Sequence, residues 1–238
     1  MKMRRTVRWL GALVLLICTI AIGSVDLCST VIGSVRSPIE RAPSVGLGNL
    51  VATSRACQTF VAQYDGLSQI RILLYDYGRK NSGPFYFYLR KAPDAAENIV
   101  SLTDDASEVD NNVHHTFEFP PIKDSAGRSY AFCLEAPEAP LDSSITAKGF
   151  WDDWYPEGEA VLRDMWGGDV GVQDLDFHLG YRLSLWDKLR ILSERLVANK
   201  PFLCGARWFY VVLGVTYLVL LYGLFVKVMP AGNPDTQE

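Results

Sequence analysis

The stretch QTFVAQYDGLSQIRILLYDY, from Gln58 to Tyr77, decides the fold class of this chain. Apolar and polar residues alternate on both sides of Asp65-Gly66, and Ile70, Ile72 and Leu74 share one face. Alternation with a period of two predicts half-buried β-strands, and Asp-Gly is a frequent turn between paired strands. The stretch therefore predicts a β-hairpin whose aliphatic face lies in the core.

Strand patterns of the same kind recur, with turn residues between them, from residue 53 to residue 183. They cover residues 85–90, 98–103, 116–119, 130–134, 145–150, 160–166 and 174–183, and Pro120-Pro121 is expected to end the third of these. Eight or nine short antiparallel strands without an intervening amphipathic helix predict an all-β, jelly-roll-like sandwich rather than an α/β fold.

Long uncharged runs lie near both ends of the 238-residue chain. Trp9–Val25 has 17 residues without a charge and follows a basic flank, so it is either a cleaved signal peptide or, as we expect, an uncleaved signal anchor. Trp208–Val226 has 19 uncharged residues and begins with an aromatic cluster typical of a membrane interface, which predicts a second transmembrane helix.

The segment between the sandwich and the second run has a helical pattern. Leucines recur at positions 185, 189, 192 and 196, Ser184 and Asp187 form a capping-box pattern, and Pro201 follows. Basic residues occupy the other side. This pattern predicts an amphipathic juxtamembrane helix, which either packs on the protein or lies on the lipid surface.

Charge places the central domain outside the cytoplasm. The basic N-terminal flank is expected to stay on the cytoplasmic side of a cell membrane, and two spans return the C-terminus to the same side. The lipid bilayer is thus a predicted partner. The predicted organisation is a basic flank with signal anchor at 1–27, a linker at 28–52, the extracytoplasmic sandwich at 53–183, the juxtamembrane helix at 184–203, the second span at 206–229 and a cytoplasmic tail at 230–238.

Five cysteines occur, and none forms a CxxC pair, which argues against a zinc ribbon or a thioredoxin-like site. An extracytoplasmic location permits disulfides. Cys28 and Cys204 flank the two predicted spans and are a plausible pair, while Cys57 and Cys133 lie in predicted strands and either pair or stay free. The spacing does not choose among the three connectivities that four cysteines allow.

A series of turn and core residues resembles a known type of domain. The series runs through Gln58-Thr59-Phe60, Asp65-Gly66-Leu67, Phe117-x-Phe119-x-Pro121, Asp124-Ser125-x-Gly127, Tyr155-x-x-Gly158 and Asp174-Leu175-x-Phe177. It resembles the extracytoplasmic jelly-roll domains of bacterial membrane proteins, which are similar to carbohydrate-binding modules. The resemblance implies a sandwich and glycan-related surroundings, and it carries over no catalytic residue.

The loop at 151–159, WDDWYPEGE, is the most function-like stretch. Aromatic rings can stack on the apolar face of a sugar while carboxylates accept hydrogen bonds from its hydroxyl groups. Alternatively, these aromatics cap the end of the sandwich or dock on a partner protein. The candidate ligand-binding residues are Trp151, Asp152, Asp153, Trp154, Tyr155, Glu157 and Trp166.

The sequence predicts no catalytic residue, metal site or cofactor. His114 and His115 point to opposite faces of a strand, His178 is expected to stand alone, and Asp174 and Asp176 are assigned to the polar face of a strand. The net charge of −4 and the absence of a basic cluster in the central region argue against nucleic-acid binding.

Three functions remain open from the sequence. The first is a non-enzymatic module that binds cell-envelope glycan. The second is a structural or accessory subunit of a larger membrane complex. The third and least favoured is an enzyme that acts on polysaccharide through paired carboxylates.

Overall fold

The structure is a computed structural model that describes residues 31–33, 44–163, 171–198, 200 and 205–228. The described residues form two compact units, divided between Leu183 and Ser184. The first unit contains all the described strands and the second contains two helices, α1 (Leu185–Val197) and α2 (Arg207–Val228). The predictions for the first span, most of the linker and the C-terminal tail lie outside the described residues.

The first unit is a sandwich of two antiparallel sheets with twelve strands among the described residues, more than the eight or nine predicted. The strands are β1 (Val31–Gly33), β2 (Val45–Gly46), β3 (Arg55–Val61), β4 (Leu67–Tyr75), β5 (Pro84–Arg90), β6 (Val100–Asp105), β7 (Val113–Ile122), β8 (Ser129–Glu135), β9 (Thr146–Phe150), β10 (Ala160–Arg163), β11 (Asp174–Leu175) and β12 (Phe177–Tyr181).

The smaller sheet has the strand order β10-β3-β8-β5-β6. In β5, Phe85, Phe87 and Leu89 are buried while the residues between them are half-buried, as the alternation predicts. A 3₁₀ turn, Ala106–Glu108, follows β6.

The larger sheet is built around β4, which pairs with β7 along one edge and with β12 and then β9 along the other. β1 pairs with β12, and β2 and β11 pair with β9. The stretch 174–183 is therefore not the single strand that its alternation predicts, because β11 and β12 pair with different partners. β7 continues through Pro120 and Pro121 to Ile122. Its pairing in the described residues is with β4 alone, and an edge strand tolerates proline.

The predicted hairpin at Gln58–Tyr77 is wrong, because β3 and β4 lie in different sheets. The linking residues 62–66 cross between the sheets beside the turn that joins β7 to β8. Gly66 N donates to Ile122 O at 2.9 Å, and Gly127 N donates to Ala62 O at 2.7 Å. Alternation shows which face of a strand is buried, but the buried face of β4 packs across the core rather than defining its neighbour in a sheet.

The core between the sheets is rich in phenylalanine. Phe87 of the smaller sheet stacks on Phe117 of the larger one with ring centroids 4.3 Å apart, and Phe132 meets Phe177 edge to face at 5.4 Å. Both pairs join opposite sheets. Burial of these aromatics supplies a large share of the hydrophobic stabilisation, since each removes a large apolar surface from water.

A disulfide joins Cys57 of β3 to Cys133 of β8, two residues that face each other directly in the pairing register. Both are fully buried. The sequence left these two residues either paired or free, and the structure pairs them. Cys28 and Cys204 lie outside the described residues, so their pairing stays a prediction.

The second unit begins with a capped helix. Ser184 precedes α1, and its hydroxyl accepts a hydrogen bond from Asp187 N, as the capping-box pattern predicts. Leu185, Trp186 and Leu189 are exposed. The described side chains of α2 from Val211 to Leu220 are exposed as well. As far as the structure describes them, α1 and α2 do not combine the length and apolar character needed to cross a bilayer.

Candidate functional site

The loop after β9 is held by one buried carboxylate, Asp174, which is 1% exposed. Asp174 Oδ2 accepts hydrogen bonds from Trp154 N at 2.6 Å and from Tyr155 N at 2.9 Å. Asp174 Oδ1 accepts one from Gln58 Nε2 at 3.0 Å, and Gln58 Oε1 in turn accepts one from Leu175 N at 2.8 Å. The assignment of Asp174 to the polar face of a strand is therefore wrong. Asp174 is buried, and its carboxylate holds the loop through hydrogen bonds to the backbone.

Burial also changes the pKa of the Asp174 carboxyl group. Removal from water raises the pKa of the Asp174 carboxyl, and the hydrogen bonds from Tyr155 N, Gln58 and Trp154 N oppose that rise. Because all three partners are donors, the geometry suits a carboxylate oxygen pair rather than an apolar side chain.

The aromatic residues at the centre of the loop face inward. Tyr155 is buried, its hydroxyl donates to Val61 O and accepts from Val61 N, both at 3.1 Å, and its ring meets Phe177 edge to face. Burial raises the pKa of Tyr155 to about 12. Trp154 is half-buried against Phe150, with ring centroids 5.9 Å apart. The Tyr155 ring therefore has no face open to a ligand.

The far end of the loop is tied to β3. Thr59 N donates to Glu159 O at 2.9 Å, and Glu159 N donates to Thr59 Oγ1 at 2.8 Å. A Cβ atom at Gly158 would lie 2.0 Å from Thr59 O, so only glycine permits this approach. The loop thus has anchors at Asp174, at Tyr155 and at Gly158.

The residues of the loop that reach solvent form a smaller set than the sequence suggested. Trp151 is 57% exposed, and Asp152, Asp153 and Glu157 are exposed as well. Trp166 lies outside the described residues. An exposed indole beside carboxylates on an anchored backbone can offer a stacking surface and hydrogen-bond acceptors to a hydroxyl-rich ligand.

A second group of polar side chains lies on the outer face of the larger sheet, the face opposite the core. His114 of β7 and Asp176, between β11 and β12, approach to 3.2 Å between Nε2 and Oδ1. The His114 and His178 rings have centroids 4.6 Å apart. The expectation that His178 stands alone is therefore wrong. These three residues can each offer one metal-ligating atom, and the three atoms lie within 4.8 Å of one another.

No local motif could have revealed this group. His114 and Asp176 are 62 positions apart in sequence, and they meet because β7 and β12 flank the same strand, β4. The alternation did place His115 on the opposite face from His114. His115 Nε2 lies 2.9 Å from Asp104 Oδ2, and the His115 ring meets Phe117 at 5.0 Å.

A third group, which the sequence did not single out, comprises two tyrosines near the end of β4. Lys148 Nζ lies 4.7 Å from the centroid of the Tyr75 ring, and the Arg79 guanidinium lies 4.4 Å from that of Tyr77. Tyr77 has a backbone φ of +62°, which is uncommon for an aromatic residue. The two cations cover the ring faces, so these tyrosines offer less open stacking surface than Trp151.

No protein-family model and no curated protein matches this sequence.

Proposed function

We propose that this protein is a membrane-attached, non-enzymatic module that holds a β-sandwich outside the cytoplasm and binds cell-envelope glycan. The observation that carries the proposal is the exposed Trp151, on the same anchored loop as the exposed Asp152, Asp153 and Glu157. A ligand that binds to a loop with an anchored backbone orders little additional protein chain, which favours affinity.

Support for a location outside the cytoplasm comes from the buried disulfide. Structural disulfides form and persist in oxidising compartments and are rare in the cytosol. Cys57 and Cys133 occupy adjacent strands of the smaller sheet, so the bond is part of the folded sandwich.

Support for membrane attachment comes from the sequence. The runs Trp9–Val25 and Trp208–Val226 carry no charge, and the basic residues before the first run favour a cytoplasmic N-terminus. The exposed apolar side chains from Val211 to Leu220 need either lipid or a protein partner to cover them.

A jelly-roll type of sandwich is part of the same proposal. Its support is that β3 to β4 and β7 to β8 are connections between the two sheets rather than hairpins within one. Jelly rolls are double-sheet folds whose chain passes between the sheets in this manner.

Glycan binding is tested by retention of the full chain, in mild detergent, on a panel of immobilised envelope polysaccharides. Trp151→Ala should weaken retention by at least about tenfold, since loss of an aromatic anchor costs about 1.4 kcal/mol or more. Trp186→Ala is the matched control, because Trp186 is 81% exposed and lies in the second unit. If neither the wild type nor the control is retained on any polysaccharide, the proposal is contradicted.

A second function, as an accessory subunit of a larger membrane complex, is favoured by the exposed residues of α1. Leu185, Trp186 and Leu189 form an apolar surface that suits a partner helix. Co-purification from native membranes in mild detergent tests this function. A stable partner that is lost with Trp186→Ala and kept with Trp151→Ala would support the accessory role over glycan binding.

A further inference from the structure

We propose that His114, Asp176 and His178 bind a divalent transition-metal ion, Zn²⁺ foremost, on the outer face of the larger sheet. This site is independent of the glycan-binding proposal, since it uses none of the residues of the loop at 151–159.

The first argument is the ligand chemistry. Two imidazoles and one carboxylate form a donor set that suits zinc and other first-row transition metals, whereas calcium and magnesium prefer oxygen ligands alone. Three protein ligands leave a coordination position for water or for an external ligand.

The second argument is distance. In a tetrahedral zinc site with bonds of about 2.0–2.1 Å, two ligand atoms lie about 3.3 Å apart. His114 Nε2 and Asp176 Oδ1 are 3.2 Å apart, so this pair already has the required separation. The most distant pair of the three ligand atoms is within 4.8 Å, so a modest rotation of side chains closes the set around one ion.

The third argument is the backbone that carries the ligands. Leu73 of β4 is in register with His114, and Leu73 N donates to Asp176 O at 2.9 Å. Arg71 of β4 is in register with His178. Asp176 N also donates to Lys148 O at 2.8 Å. His114 and His178 therefore lie on the two strands that flank β4, and Asp176 directly precedes one of these strands, which favours an ordered site.

Two cations neighbour the ligands: Arg71, which is in register with His178, and Lys148, which has a partner of its own. Lys148 Nζ donates to Asn112 Oδ1 at 2.7 Å and lies over the Tyr75 ring. Lys148 contacts Asp176 through its backbone carbonyl group, whereas the Asp176 carboxylate is paired with His114. All three ligands are half-buried, so an ion could enter from solvent and keep one open coordination position.

Cobalt titration of the full chain in mild detergent tests the site, after treatment with a chelator and alkylation of free thiols so that cysteines cannot bind metal. We expect one equivalent of Co²⁺ to produce the visible absorption of a four- or five-coordinate ion, and Zn²⁺ to displace it. His178→Ala and Asp176→Ala should each weaken binding by at least tenfold.

His115→Ala is the matched control, because His115 belongs to the same strand but contacts Asp104 on the other face. Far-UV circular dichroism checks that each variant is folded, and His114→Gln, which keeps a polar side chain of similar size, serves if an alanine variant unfolds. The proposal is overturned if the wild type binds no stoichiometric cobalt. It is equally overturned if folded ligand variants bind as tightly as His115→Ala.

Discussion

Replacement of Gly66 by alanine tests the connection between the two sheets. Gly66 has a φ of +77°, and an added Cβ would lie 2.5 Å from Arg182 O. Gly127, in the neighbouring connection, has a φ of +70° but would meet no atom within 4 Å. The two glycines therefore share the same backbone requirement, and only Gly66 adds a steric conflict.

The left-handed conformation costs a non-glycine residue about 1–2 kcal/mol, so Gly127→Ala should lower the free energy of unfolding by that amount. Overpacking adds about 1–3 kcal/mol, so Gly66→Ala should cost about 2–5 kcal/mol. The contact cannot relax easily, because Arg182 N donates to Gly66 O at 2.8 Å and holds the two backbones together.

Urea denaturation of the full chain in mild detergent, followed by tryptophan fluorescence and far-UV circular dichroism, measures both free energies. Gly66→Ala should unfold at a clearly lower urea concentration than Gly127→Ala. If the two variants have equal stability, the close approach of Gly66 to Arg182 is not a feature of the folded protein, and the described connection between the sheets is refuted.

Further predictions concern the buried Asp174 carboxylate and the disulfide. Asp174→Ala removes the acceptor of three hydrogen bonds and should cost about 3 kcal/mol or more in urea denaturation, whereas Asp152→Ala, at an exposed position, should cost little. Equal costs would contradict the role of Asp174. Burial raises the pKa of Asp174 in the folded protein, so the folded state holds this proton more tightly than the unfolded chain does. The stability that the protonated carboxyl group contributes is therefore full below the unfolded pKa of about 3.9, and it is lost as the pH rises through the pKa of the folded state. The stability of the wild type minus that of Asp174→Asn should therefore decline from about pH 4 upward, and a flat difference would rule out the raised pKa. The double variant Cys57→Ala/Cys133→Ala opens a bridge between residues 76 positions apart and should lose up to about 4 kcal/mol, measured with and without reductant, while an unchanged midpoint would argue against a formed bridge.

The sequence predicts the individual strands better than their partners. The alternation at Phe85, Phe87 and Leu89 identifies the buried face of β5, and the same holds for Ile70 and Ile72 in β4. Burial of a face is a local property of a strand, so a single sequence reveals it. Partner choice depends on contacts that are distant in sequence, so the sequence predicts a hairpin turn at Asp65-Gly66 where the chain in fact passes from one sheet to the other.

In the candidate site, too, the sequence predicts local features better than contacts between distant residues. The sequence identified the loop at 151–159 from its composition, but it could not separate the exposed Trp151 from the buried Tyr155. That separation depends on Asp174 and Val61, which are distant from the loop in sequence and accept or donate its hydrogen bonds. Likewise, His178 acquires His114 as a neighbour only through the order of strands in the larger sheet.

The central claim, display of the sandwich outside the cytoplasm, is tested most directly by labelling one introduced cysteine. Leu141→Cys is suitable because Leu141 is 55% exposed and lies in the first unit. In a background with serine at positions 18, 28 and 204, a membrane-impermeant maleimide should label this cysteine in intact spheroplasts as fully as after permeabilisation. Labelling that requires permeabilisation would place the sandwich in the cytoplasm and contradict the account.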